Sequence, residues 1–161
     1  MSETSGETGR SGEAPLRQAL RGVPLLADLA DAEIDWLAEN AEEIHLADGE
    51  VISREGEPAE RMSIVLAGEL RGRNEKGGAT RTFIAQAGEI TGLLPFSRML
   101  RWGATIRAAG PTRVAVIPSS RFGEMLQRIP ALEPRLIGLM TDRTDVLKAV
   151  LSEAGRWSAP S

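Results

Sequence analysis

Between residues 42 and 118 the chain is cut into short alternating segments by closely spaced turn residues, and this rhythm constrains the fold more than any other feature. The turns are Asp48-Gly49, Glu55-Gly56-Glu57-Pro58, Gly68, Lys76-Gly77-Gly78, Gly88 and Gly110-Pro111, where glycine supplies backbone freedom and proline a fixed φ. The intervening segments predict strands over 43–46, 50–54, 61–66, 69–73, 80–85, 103–108 and 112–117. In the third, Met62, Ile64 and Leu66 share one face while Ser63, Val65 and Ala67 share the other. Many short strands at this spacing imply a barrel or a jelly-roll sandwich, giving a mainly β domain with helices on its flanks.

Outside this region the period is helical. Leu16, Leu20, Val23, Leu25 and Leu26 predict a short helix and a docking turn. Asp31 has the chemistry of an N-cap for a helix through about Ala41, with Ile34, Leu37 and Ala38 as its buried stripe. After the strands, Ser119 and Ser120 are placed to cap a helix whose Phe122, Met125, Leu126 and Ile129 recur at helical spacing until Pro130. A longer C-terminal helix is expected from near Pro134 to about Ser152. It carries two adjacent stripes, Leu136, Leu139, Val146 and Val150 beside Ile137, Met140, Leu147 and Leu151. One stripe can pack on the strands, and a second copy of the helix in a homodimer is the simplest cover for the other. Residues 1–14 and 153–161 have the composition of loose tails, leaving one domain over 15–152 with strands over about 43–117 and C-terminal helices over 119–152.

The stretch from Gly88 to Ala108 holds the candidate function. It runs from a glycine turn through a short apolar segment and two arginines into a strand whose Ala104, Ile106 and Ala108 share a face. No Asp or Glu occurs between Ile90 and Gly123, while Arg98, Arg101, Arg107, Arg113 and Arg121 all do. A glycine followed by backbone N–H groups at the start of a short helix makes a small anion site. A bound anion explains the charge bias, and so does a solvated surface whose carboxylates come from elsewhere in the fold.

Composition narrows the alternatives. The net charge of −4 argues against broad nucleic-acid binding, which calls for a basic face. The absence of cysteine excludes disulfides, thiol nucleophiles and cysteine-held metals. With His45 as the single histidine, the metal-dependent cupin enzymes that share this strand pattern are a poor fit, and no catalytic or metal-binding residues are expected. Apolar runs fall short of the ~20 residues of a membrane span, and the polar N-terminus lacks the apolar centre of a signal peptide. The expectation is a cytoplasmic location.

Four motifs then stand in order and spacing: Asp48-Gly49-Glu50-Val51-Ile52, Arg54-Glu55-Gly56-Glu57-Pro58, Ser63-Ile64-Val65-Leu66-Ala67-Gly68-Glu69-Leu70 and Ala104-Thr105-Ile106-Arg107-Ala108. Together they resemble the cyclic nucleotide-binding domain over about Val23 to Leu151. The resemblance implies an eight-stranded jelly-roll β-barrel with N-terminal helices and a long C-terminal helix. It also implies a non-catalytic regulatory module, in which a nucleotide enters the cassette and the C-terminal helix reports it. Carried over, the ligand-binding positions are Thr91, Gly92, Leu93, Leu94, Arg98, Arg101, Trp102, Gly103, Ala104 and Thr105, with base-covering positions near Leu147 and Lys148.

Two positions depart from the family pattern. Leu93 stands where the family has the glutamate that takes the ribose hydroxyl, and Trp102 where it has the phosphate arginine, with Arg98 and Arg101 nearby. A buried hydroxyl without an acceptor costs about 1–3 kcal/mol, and a lost charge-assisted phosphate contact as much or more. The two losses predict binding weakened by roughly two to four powers of ten. The run Thr91 to Met99 also resembles a variant cassette of bacterial sensor histidine kinases, which implies a kinase or other effector in trans. The competing expectation is a fold that binds no nucleotide and serves as an interaction or dimerisation module. A hollow plugged by Trp102 or Leu93, with the guanidinium groups pointing outward to water, would remove the sensing expectation and leave a scaffold.

Overall fold

The computed structural model describes residues 14–74 and 81–140. Its strands are β1 (Glu42–Leu46), β2 (Val51–Ser53), β3 (Arg61–Ala67), β4 (Glu69–Asn74), β5 (Arg81–Gln86), β6 (Ile90–Gly92), β7 (Thr105–Ala108) and β8 (Thr112–Pro118). They form two four-stranded antiparallel sheets, ordered β1-β8-β3-β6 and β2-β7-β4-β5. Seven of the eight strands coincide with the alternating segments, to within a few residues at their ends. The eighth, β6, lies inside the cassette and is too short for alternation to reveal; it is fixed by pairing Met62 with Gly92 and Ile64 with Ile90.

The central strands β3 and β8 are buried on both faces, so each feeds two apolar clusters. Met62, Ile64, Ala115 and Ile117 pack toward the helices, against Leu20, Leu26, Ile34, Leu37, Met125 and Leu136. Val65, Val114 and Val116 pack between the sheets with Leu46, Ile52, Leu70, Ile106 and Ala108. The face assignment of Met62 and Ile64 against Val65 therefore has a physical meaning, since one sheet separates a helical layer from the sandwich interior.

The helices are α1 (Leu16–Arg21), a 3-10 turn (Pro24–Leu26), α2 (Asp31–Asn40), a second 3-10 turn (Ser119–Arg121) and α3 (Phe122–Arg128). Residues 132–140 are helical, and the expected continuation to Ser152 lies outside the described residues, as do Leu147 and Lys148. Two capping expectations are corrected. Ala30 is the N-cap of α2; its N–H donates to Glu33 at 3.0 Å, while Asp31 sits one position inside and pairs with Arg21. Ser119 and Ser120 form the 3-10 turn, which leaves Arg121 at the N-cap of α3 with no side-chain cap hydrogen bond; the Ser119 N–H donates to the Glu60 carbonyl at 2.8 Å.

The helical segment after Pro130 is held at its base. Arg135 donates to both carboxylate oxygens of Asp28, at 2.9 and 3.1 Å, and to the Leu25 carbonyl at 2.7 Å. Of its two stripes, Leu136 is fully buried while Ile137 remains 43% exposed.

Inside the sheet, Arg113 is buried and its guanidinium donates to Glu43 at 2.6 Å, with His45 on the same carboxylate oxygen at 2.8 Å. Burial pushes the Glu43 carboxyl up, but the hydrogen bonds and charges of Arg113 and His45 outweigh it and hold the group below its ordinary value. A depressed carboxylate stabilises the fold fully above its unfolded pKa and loses that contribution as pH falls through the folded one. Glu43→Gln is therefore expected to destabilise by about 1–3 kcal/mol at neutral pH. Urea unfolding at stepped pH should show the gap between variant and wild type closing only in the acid range.

Candidate functional site

The cassette between β6 and β7 is built by close backbone contact. At Gly92, φ is +84°, and an added Cβ would lie 2.9 Å from the Arg61 carbonyl oxygen and 3.2 Å from the Ser63 nitrogen. Only glycine fits a left-handed position pressed this closely on a neighbouring strand. The next residue, Leu93, donates its N–H to the Arg61 carbonyl at 2.9 Å and is buried. Leu94 turns into the helix-side cluster. Residues 93–100 then run without helix, which corrects the expected helix N-terminus. Pro95 brings no N–H, and Phe96 adopts φ +73°, the sole non-glycine positive φ among the described residues, so a right-handed turn cannot propagate.

The descending limb is strapped to the loop between β2 and β3. Ala59 donates to Leu100 at 2.9 Å, Trp102 to Glu57 at 2.8 Å, and Gly56 to Trp102 at 2.8 Å. Pro58 and Arg101 form an isolated bridge, and the Arg101 guanidinium donates to the Gly56 carbonyl at 3.0 Å. Further along, Thr105 accepts from the Glu55 N–H at 3.1 Å. Arg61 takes part twice, through its carbonyl to Leu93 and through its guanidinium to the Ile52 carbonyl. Arg61 and the 55–59 loop were not among the residues expected from sequence, although the Gly-Glu-Pro turn was visible as a turn.

The ten expected ligand positions thus divide. The Leu93 N–H, the Trp102 N–H, the Thr105 hydroxyl and the Arg101 guanidinium are engaged within the protein. Thr91 pairs with Ser63 in β6. Gly103 is exposed and Ala104 half-buried at the start of the β7 limb. Arg98 is exposed and makes no hydrogen bond or ion pair among the described residues. Leu93 and Trp102 are 8% and 7% exposed, yet belong to neither apolar cluster.

The five arginines of the acid-free span divide as well. Arg113 meets Glu43 and Arg121 meets Glu124 at 3.3 Å, so for these two the carboxylate partners do come from elsewhere in the chain or just beyond the span. Arg107 reaches the Gly49 carbonyl at 3.4 Å. Arg98 and Arg101 stay on the cassette facing water, with no carboxylate partner among the described residues. No set of three or more His, Cys, Asp or Glu side chains gathers among the described residues as a metal site, and no helix there is long and apolar enough to cross a membrane.

Comparison with known proteins bears on the fold and the family. The chain is 30% identical over 131 residues to an uncharacterized NTE family protein of Mycobacterium tuberculosis, covering 77% of this chain but 21% of that protein, about a fifth of its length. It is 26% identical to the human patatin-like phospholipase domain-containing protein 6, over 78% of this chain and 9% of the relative. Among solved structures, the catabolite activator protein of Thermus thermophilus shares the fold with a TM-score of 0.71 at 22% identity, over 82% of this chain and 63% of that one. The model of the cyclic nucleotide-binding domain matches residues 43–129, more than half of the sequence, and the chain belongs to that family.

Proposed function

We propose that the chain is a non-catalytic regulatory module that takes a cyclic nucleotide, or a related anionic nucleotide, at the cassette and signals through its C-terminal helix. The observation that carries this reading is the double role of the cassette. Its Leu94 lies in the same apolar cluster as Met125, Ile129, Leu132 and Leu136, while its Arg98 and Arg101 face solvent. An anion drawing on the arginines would pull a loop whose buried end is packed into the helical layer, and packed layers pass on such displacements. The Ile137 face gives a second copy, or an effector such as a kinase in trans, a surface on which the helix can be read, in a cytoplasmic setting.

Affinity on this reading is weak. Leu93 offers no acceptor for a ribose hydroxyl, and the nearest guanidinium groups lie at the rim, where water screens them. A melting-temperature screen of cyclic mono- and dinucleotides at millimolar concentration is the test. A ligand at ten times its Kd adds about 1.4 kcal/mol, or roughly 3–6 °C for a domain of this size. No shift with any member would overturn the reading.

A second reading has its own observation. Leu93 and Trp102 are both buried, and much of the hydrogen-bonding capacity of the cassette is already spent inside the protein. A nucleotide-free interaction module follows if the hollow is filled by these side chains. Under that reading Arg98→Ala with Arg101→Ala leaves partner binding and melting temperature unchanged.

A further inference from the structure

We propose that the indole N–H of Trp102 is a ligand donor of the cassette, placed to give a hydrogen bond to an oxygen of a singly charged phosphodiester. The inference rests on the sensing reading above and assigns the atom that replaces a guanidinium there.

Burial sets this side chain apart from its neighbours along the limb. Along the limb into β7, Arg101, Gly103 and Arg107 are exposed, whereas Trp102, Ile106 and Ala108 are buried. Ile106 and Ala108 belong to the cluster between the sheets. Trp102 is buried just before β7, at the cassette end of that limb and outside both apolar clusters. Its backbone is fixed on both sides, the N–H to Glu57 and the carbonyl to Gly56, each at 2.8 Å.

The side chain is 93% buried, yet its Nε1–H has no acceptor among the described residues. Trp36 shows the usual arrangement, its Nε1–H reaching Glu124 at 3.3 Å. A buried indole N–H ordinarily finds a partner, and leaving one unmet is unfavourable. An oxygen brought by a bound molecule would meet it.

The charge of that molecule follows from its surroundings. Arg54, Arg61, Arg98 and Arg101 stand near Glu55, Glu57 and Glu60 in the chain, four positive charges to three negative, with Arg61 and Arg101 giving their hydrogen bonds to backbone carbonyls. A neutral donor in a nearly balanced field can hold one negative charge, but offers little against the desolvation of two. A phosphodiester carries one charge at neutral pH and a phosphomonoester nearly two.

The test is a titration of the 15N-labelled full chain, reading the indole N–H resonances, with Trp102 assigned through Trp102→Phe. With 3′,5′-cyclic AMP the Trp102 indole signal is expected to move downfield and saturate while that of Trp36 stays. Trp102→Phe should bind about fivefold more weakly, the loss of one neutral hydrogen bond, and 5′-AMP should bind the wild type more weakly than the cyclic form. Cassette amides that shift while the Trp102 indole does not, or a Phe variant that binds equally well, overturn the donor role and leave sensing intact. A spectrum in which nothing moves with either probe overturns both.

Discussion

Replacing Gly68 by alanine is expected to destabilise the domain by about 3 kcal/mol or more, a large effect for one methyl group. Gly68 sits between β3 and β4 at φ +86°, where an L side chain is strained, at a cost of about 1–2 kcal/mol. The new Cβ would also fall 2.4 Å from the Pro111 carbonyl oxygen, 2.6 Å from Thr112 Oγ1 and 2.8 Å from Thr112 Cα. Two of these are backbone atoms that cannot swing aside. Relief requires moving the start of β8, and with it the Thr112 hydroxyl, which accepts from the Glu69 N–H at 3.2 Å and has the Gly110 and Glu69 carbonyls as acceptors at 2.9 and 3.1 Å. Gly72→Ala is the contrasting case. The three atoms nearest its added Cβ all belong to the Phe83 ring, a side chain 38% exposed and not backbone, so about 1 kcal/mol or less is expected if the ring gives way. Urea unfolding of the two variants side by side measures the difference.

The second large effect lies where the helical layer meets the cassette. Leu136→Ala should destabilise by about 2–4 kcal/mol, because Leu136 is fully buried and truncation leaves a cavity as well as losing apolar burial. In a chain of this length that corresponds to a fall of roughly 5–15 °C in melting temperature. The same cavity loosens the cluster shared with Leu94, so on the proposed mechanism it also uncouples the cassette from the helix. Ile137→Ala, one residue along and 43% exposed, should change the monomer by about 1 kcal/mol or less. Calorimetry of both variants checks the pair.

The sequence made the β region legible because alternation and turn chemistry agree at almost every segment. Gly68 and the Gly-Glu-Pro turn mark real reversals, and the two faces of β3 could be assigned since Met62 and Ile64 have different neighbours from Val65. Where only three residues pair, as in β6, period carries no information and the strand is settled by partners on β3. The caps failed for a similar reason. Asp31 has capping chemistry, but Arg21, brought close by the 3-10 turn, takes its carboxylate.

The cassette was legible as a place and less so as a geometry. Its acid-free run singled out Arg98 and Arg101, which do face solvent without carboxylates, but it equally included Arg113, which pairs with a strand far away in sequence. The lack of helix depends on Phe96 accepting a left-handed backbone, which residue type does not announce. The strap to Gly56, Glu57 and Ala59 is built almost wholly from main-chain atoms, and any residue but proline can donate there. Neither that seam nor the role of Arg61 leaves a side-chain signature to read.

The central claim is that this rim of arginines admits an anionic nucleotide. Isothermal titration of the full chain with 3′,5′-cyclic AMP tests it most directly, beside Arg98→Ala with Arg101→Ala. The account predicts one saturable site with a Kd of roughly 0.1–1 mM, weakened several-fold in the double variant and by added salt. Heats indistinguishable from dilution in wild type at millimolar nucleotide would contradict it.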